Sequence, residues 1–134
     1  AASPHVRVQS QHTDDEYAGM FENTEMTGDG PAPDVVGYGD IHDAYIESYR
    51  GRTLFNVGSV GNPLDEPTPS YVILEGVLDA EDRGAPFGIQ FVRVPYDVEP
   101  EIALAHELGM PTADVWGVEL RTALYRGLQQ VTPR

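Results

Sequence analysis

The chain contains no cysteine and no lysine. The first absence removes a disulfide framework, a thiolate nucleophile and a zinc finger. It also suits a reducing compartment, and nothing at the start reads as a basic, then apolar, leader, so a cytoplasmic location is expected. The second absence removes Schiff-base chemistry and a Walker-type phosphate loop, both of which need the ammonium group. No apolar run approaches the ~20 residues of a membrane span. Basic groups of any kind are scarce: eight arginines face 22 aspartates and glutamates, for a formal net charge of −14. Such a surface repels nucleic acid and anionic membranes, so neither is expected as a partner. A site that handles phosphate in this field needs a local cation, and a bound metal can supply it. The same charge balance also fits a salt-adapted or arginine-using proteome, in which case it concerns solubility and not function.

The 134 residues suit a single domain over 1–134, and the 40% hydrophobic content suits a packed core. Eleven prolines and fourteen glycines imply many turns between short elements. His5 to Val8 reads as a strand end. Thr13-Asp14-Asp15-Glu16 reads as a helix start, and a helix over 14–23 puts Tyr17, Met20 and Phe21 on one face. Val35-Val36 is expected as a short buried strand. Tyr45–Tyr49 and Thr53–Val57 form a hairpin about Arg50-Gly51-Arg52. Asn62–Pro69 is a proline-rich connection. Tyr71–Leu78 is the strongest strand, and Phe87–Val94 alternates cleanly and is expected beside it, antiparallel. The period then changes. Val98, Ile102 and Ala105, and with them Leu104 and Leu108, recur at helical spacing up to Gly109 and Pro111. Trp116, Leu120, Leu124 and Leu128 mark a second helix over 113–128. Both stripes are expected to face a core. The class is α+β, a strand-rich middle covered by two C-terminal helices.

The chemistry concentrates between Asp34 and Asp65. A short apolar strand runs into a turn that offers Asp40 and His42, and residues i and i+2 of such a turn can point toward one ligand. A carboxylate and a neutral imidazole together suit a divalent transition metal. The same pair also makes an ordinary turn, with Asp40 accepting backbone N–H groups and His42 bonding a carbonyl. Two ligands do not hold a catalytic metal alone; three or more are needed. Gly58-Ser59-Val60-Gly61 follows the hairpin, and its glycines let backbone approach a ligand closely. Ser59 has no strand–turn–helix elbow around it and is read as a brace for the loop.

Gly39-Asp40-Ile41-His42, Asn56-Val57-Gly58-Ser59-Val60-Gly61 and Ser70-Tyr71-Val72-Ile73-Leu74 resemble, in that order, the closing motifs of the calcineurin-like metallophosphoesterases, especially the small bacterial and archaeal phosphodiesterases. Their pattern is Gly-His-x-His, a hairpin, Asn-Pro-Gly-Ser-Val-Gly and Ser-Tyr-x-x-Leu. The tail Leu120–Gly127 is also similar to the end of such proteins. The resemblance implies a β-sandwich half of a four-layer αββα fold. It implies two divalent ions (Mn, Fe, Zn, Ni or Mg) in the full-length protein, and hydrolysis of a phosphomonoester or phosphodiester by a metal-activated water. His42 would be a metal ligand, Asp40 would stand where the family has its first histidine, and Asn56, Gly58 and Ser59 would shape the substrate-binding rim. Val57 stands in place of the family's proline. The family's opening Asp-x-His, Gly-Asp and Gly-Asn-His motifs, which include the proton donor, have no counterpart before Asp34, and no histidine precedes Ala1-Ala2-Ser3-Pro4. The expectation is therefore a C-terminal portion, lacking catalytic residues and inactive alone, whose uncovered sheet is met by a missing segment or by a homodimer. The rival expectation is a non-catalytic interaction domain that keeps the fold without metals.

Overall fold

The computed structural model describes residues 12–129. The expected strand at His5–Val8 and the Ala1–Pro4 segment lie outside them. The described residues form an α+β fold with three α-helices, a three-stranded sheet and a two-stranded sheet.

Helix α1 spans Asp14–Gly19. Thr13 Oγ1 accepts the Glu16 N–H, and Glu16 Oε2 accepts the Thr13 N–H at 2.8 Å, so a capping box fixes the first turn. The helix is shorter than the 14–23 expected; Tyr17 within it and Phe21 just past its C-cap both pack on Leu54. Met20, Val36, Tyr38 and Tyr45 pack around this cluster, and the Tyr17 hydroxyl donates to the Arg52 carbonyl at 2.8 Å. The expected face of Tyr17, Met20 and Phe21 therefore does meet the sheet.

Strands β1 (Val35–Tyr38), β2 (Tyr45–Tyr49) and β3 (Arg52–Asn56) form the first sheet in the order β1-β3-β2. β1 runs parallel to β3, and β2 antiparallel to it. Central β3 is the buried strand, with Leu54 at 0% exposure; Val35 and Val36 are only half-buried, since β1 is an edge. The hairpin turn has two residues, not three. Tyr49 pairs with Arg52, and Arg50 (φ 51°) and Gly51 (φ 77°) both take the left-handed conformation that matches strand twist. Because β1 and β3 are parallel neighbours, the loops that leave their ends, 39–44 and 57–69, emerge on the same side of the sheet.

Strands β4 (Ser70–Gly76) and β5 (Phe87–Arg93) make the second sheet, antiparallel as expected, with Val72 opposite Phe91 and Leu74 opposite Ile89. Leu74, Val77, Leu78 and Phe87 toward its far end are exposed. Helices α2 (Glu99–Glu107) and α3 (Ala113–Thr122) pack on each other. Gly117 permits this: a Cβ there would stand 3.1 Å from Ile102 Cγ2. Glu99 grips Arg121 through two hydrogen bonds of 2.7 and 2.6 Å.

Both helical stripes need correction. Ile102, Ala105 and Leu120 are buried, but Leu104, Leu108, Leu124 and Leu128 are exposed. α3 ends at Thr122 because Ala123 turns left-handed (φ 57°), and residues 126–128 form a separate 3-10 turn. The four-residue spacing thus crosses a helix end, and its last two leucines no longer share a face with Trp116 and Leu120.

Candidate functional site at the strand ends

The site is assembled from the two loops that leave β1 and β3. Asp40 (φ 90°) and His42 (φ 60°) both lie in the left-handed region, which side chains other than glycine seldom occupy. Strain of this kind persists only where surrounding structure imposes it, and it gathers at functional loops. The imposing structure is visible. His42 Nδ1 lies 2.7 Å from the Asn62 carbonyl oxygen, and the His42 carbonyl accepts the Leu64 N–H at 2.9 Å. A carbonyl oxygen only accepts, so Nδ1 carries the proton that makes this bond, and Nε2 is the ring nitrogen left over. Histidines that ligate metals are oriented this way.

Asn56 closes the other side. It is fully buried; its Nδ2 donates to the Gly39 carbonyl at 3.0 Å and its Oδ1 accepts the Gly58 N–H at 2.9 Å. One side chain therefore ties the Asp40 loop to the Gly-Ser-Val-Gly loop. Gly58 is left-handed (φ 74°), and a Cβ there would lie 2.1 Å from Ser70 Oγ. Ser70 Oγ in turn donates to the Val57 carbonyl at 2.9 Å. Ser59 Oγ accepts the Asn62 N–H at 3.0 Å, so it braces the loop as expected.

Several side chains that hold these loops carried no signal in the sequence. Asp65 accepts the Ala44 N–H at 3.1 Å and is gripped by both terminal nitrogens of Arg93. Burial pushes the Asp65 carboxyl upward, but the bonds from Arg93 and from the Glu66 and Ala44 N–H groups outweigh it and hold the group below its ordinary range. Glu119, fully buried on α3, accepts the Arg126 backbone N–H at 2.7 Å and Arg126 Nη2 at 2.6 Å. It also accepts Asn62 Nδ2 at 3.2 Å. Burial raises its carboxyl, and the Arg126 bonds pull it down further than burial lifts it. A glutamate beside the Trp116/Leu120 stripe was the only available hint. The Tyr38 and Tyr45 hydroxyls meet at 2.6 Å where the strands end. Burial raises both phenols, and the charge of Asp43 adds to each. Asp34, at the other end of β1, pairs with Arg83 at 3.2 Å instead of joining the site.

Among the described residues no group of three histidine, aspartate or glutamate side chains is placed to hold a metal ion. Asp40 and His42 are two candidates, too few to fit a two-metal centre by themselves. No protein-family model matches this sequence, and no curated protein matches it.

A cleft of about 490 Å³ opens beside the same loop, between Val60, Tyr71, Val94, Tyr96, Glu101 and Trp116. Its walls are mainly apolar.

Proposed function

We propose that this chain is the C-terminal portion of a metal-dependent phosphoesterase. In this reading its sheets form half of a four-layer αββα sandwich. His42 Nε2 and the Asp40 carboxylate supply two of the ligands for a pair of divalent ions, and Asn56, Gly58 and Ser59 set the rim that receives a phosphate ester. The remaining ligands and the proton donor belong to sequence beyond this chain. One observation carries the reading: the His42 imidazole is anchored through Nδ1 on strained backbone, so that Nε2 is the nitrogen left to ligate. The strongly negative chain adds a reason for metal, since phosphate needs a local cation here.

The test uses the 134-residue chain. Two side chains bind a divalent ion weakly even where they cannot hold a catalytic one, so millimolar Mn or Zn should raise its melting temperature slightly, and His42→Ala should abolish that rise without lowering the metal-free melting temperature by more than a few degrees. Hydrolysis of bis(p-nitrophenyl) phosphate in added Mn should stay at background, because two ligands do not form the centre. A melting temperature indifferent to metal and to chelator ends the proposal.

That outcome supports the second reading, a non-catalytic interaction domain. The observation in its favour is the presence of only two candidate ligands among the described residues, together with the exposed Leu74, Val77 and Leu78.

A further inference from the structure

We propose that the cleft between Tyr71, Tyr96 and Trp116 binds a small organic cation of the quaternary ammonium type. Three aromatic side chains and one carboxylate, Glu101, line it, and no arginine does. The faces of tyrosine and tryptophan carry negative quadrupole charge and attract a cation, tryptophan most strongly. Glu101 adds a full negative charge, and it has no ion-pair partner among the described residues. The chain's net charge of −14 favours the same sign of ligand.

Hydrogen-bonding capacity narrows the class. A primary ammonium brings three N–H donors and needs matching acceptors when it leaves water. Beyond the Glu101 carboxylate and the Tyr71 and Tyr96 hydroxyls the cleft offers few: Ser70 is buried and its hydroxyl is engaged with the Val57 carbonyl, and Val60, Pro69 and Val94 contribute apolar surface. A tetra-alkylated nitrogen has no N–H to satisfy, is weakly hydrated, and presents methyl groups to exactly such walls. The volume of about 490 Å³ lies in the range of small-molecule sites and exceeds what a trimethylammonium group with a short chain needs. Tyr71 and Tyr96 stay partly exposed, so a ligand reaches their rings without unfolding any element.

Trp116 is the single tryptophan, so its fluorescence reads the cleft directly. The full chain is titrated with choline, with tetramethylammonium, and with 3,3-dimethylbutan-1-ol, the uncharged carbon isostere of choline. Choline should give a saturable change with a dissociation constant of roughly 0.1–1 mM, and the alcohol should bind at least about tenfold more weakly. Glu101→Gln, an exposed position on α2, should weaken choline about tenfold at an unchanged melting temperature. Ring-proton shifts of Tyr71 and Tyr96 on adding choline provide a second readout in case the indole responds weakly. Equal affinity for choline and the alcohol, wild-type affinity in Glu101→Gln, or no saturation by either readout below about 50 mM overturns the proposal. No metal or phosphate ester enters the experiment, so its outcome is independent of the phosphoesterase reading.

Discussion

Asn62 donates a side-chain hydrogen bond to Glu119 at 3.2 Å across 57 residues of sequence. The same residue receives the His42 imidazole on its backbone carbonyl and gives its own N–H to Ser59. A buried carboxylate on α3 thus fixes the residue that orients the candidate metal ligand. The path runs from Arg126 through Glu119 and Asn62 to His42.

Glu119→Gln should destabilise the fold by about 2 kcal/mol, because a charge-assisted cluster becomes neutral while the buried site stays polar. Urea unfolding at pH 7 measures this. A change below about 0.5 kcal/mol, the range of ordinary surface substitutions, would show that Glu119 contributes little.

Acid should unfold the protein through the same group and through Asp65. Both carboxyls sit below their ordinary values in the folded chain. Each therefore adds stability that is complete above the unfolded carboxylate range, about pH 4, and is lost as pH falls through the lower folded value. Melting temperature should be level from pH 7 to about 5 and fall below about pH 4. Glu119→Gln should show a shallower fall than wild type; parallel curves would assign the acid sensitivity elsewhere.

Gly58→Ala should be costly for two separable reasons, a left-handed backbone and a 2.1 Å approach to Ser70 Oγ. A loss of about 2–3 kcal/mol is expected. Adding Ser70→Ala relieves the contact but leaves the backbone strain and the 3.0 Å approach to Ala44 Cβ, so the double variant should recover only part of the loss. Full recovery in a denaturant titration would remove the backbone argument.

Leu54→Ala, at the centre of the sheet and under Tyr17 and Phe21, should cost about 2–5 kcal/mol. Leu78→Ala, at 89% exposure, should change stability by less than about 0.5 kcal/mol. Comparable losses in the two would mean that the β4–β5 end is covered in solution.

Much of the local order was legible because local chemistry sets it. Thr13 with Glu16 announces a helix start, and Arg50-Gly51 announces a hairpin. Alternation in Phe87–Arg93 announces a strand beside Ser70–Gly76. The helix over 113–128 was overread because spacing of leucines does not register a left-handed residue such as Ala123, which ends α3 without a glycine. The stripe of Leu104 and Leu108 was overread for a related reason. Only one face of α2 meets α3, and a sequence does not say how wide that face is. At the site, Asp40 and His42 stood out by residue type and spacing, and Asn56, Gly58 and Ser59 through the resemblance of their motif. Asp65, Arg93, Glu119 and Arg126 did not: Asp65 and Arg93 are 28 residues apart, Asn62 and Glu119 57, and Arg126, seven residues after Glu119, reaches it only past the end of α3.

By itself the sequence determined the α+β class, the positions of most elements, and the acidic and lysine-free character. These follow from periodicity, turn preferences and residue chemistry, all of which act over a few neighbouring positions. Only the tertiary structure decided that His42 is pinned by Asn62, that Asn62 leans on a buried glutamate from α3, and that Trp116 faces a cleft rather than a core. Those arrangements depend on the parallel pairing of β1 with β3 and on where α3 stops. A long-range hydrogen bond forms only once the packing of distant segments has brought donor and acceptor within about 3 Å.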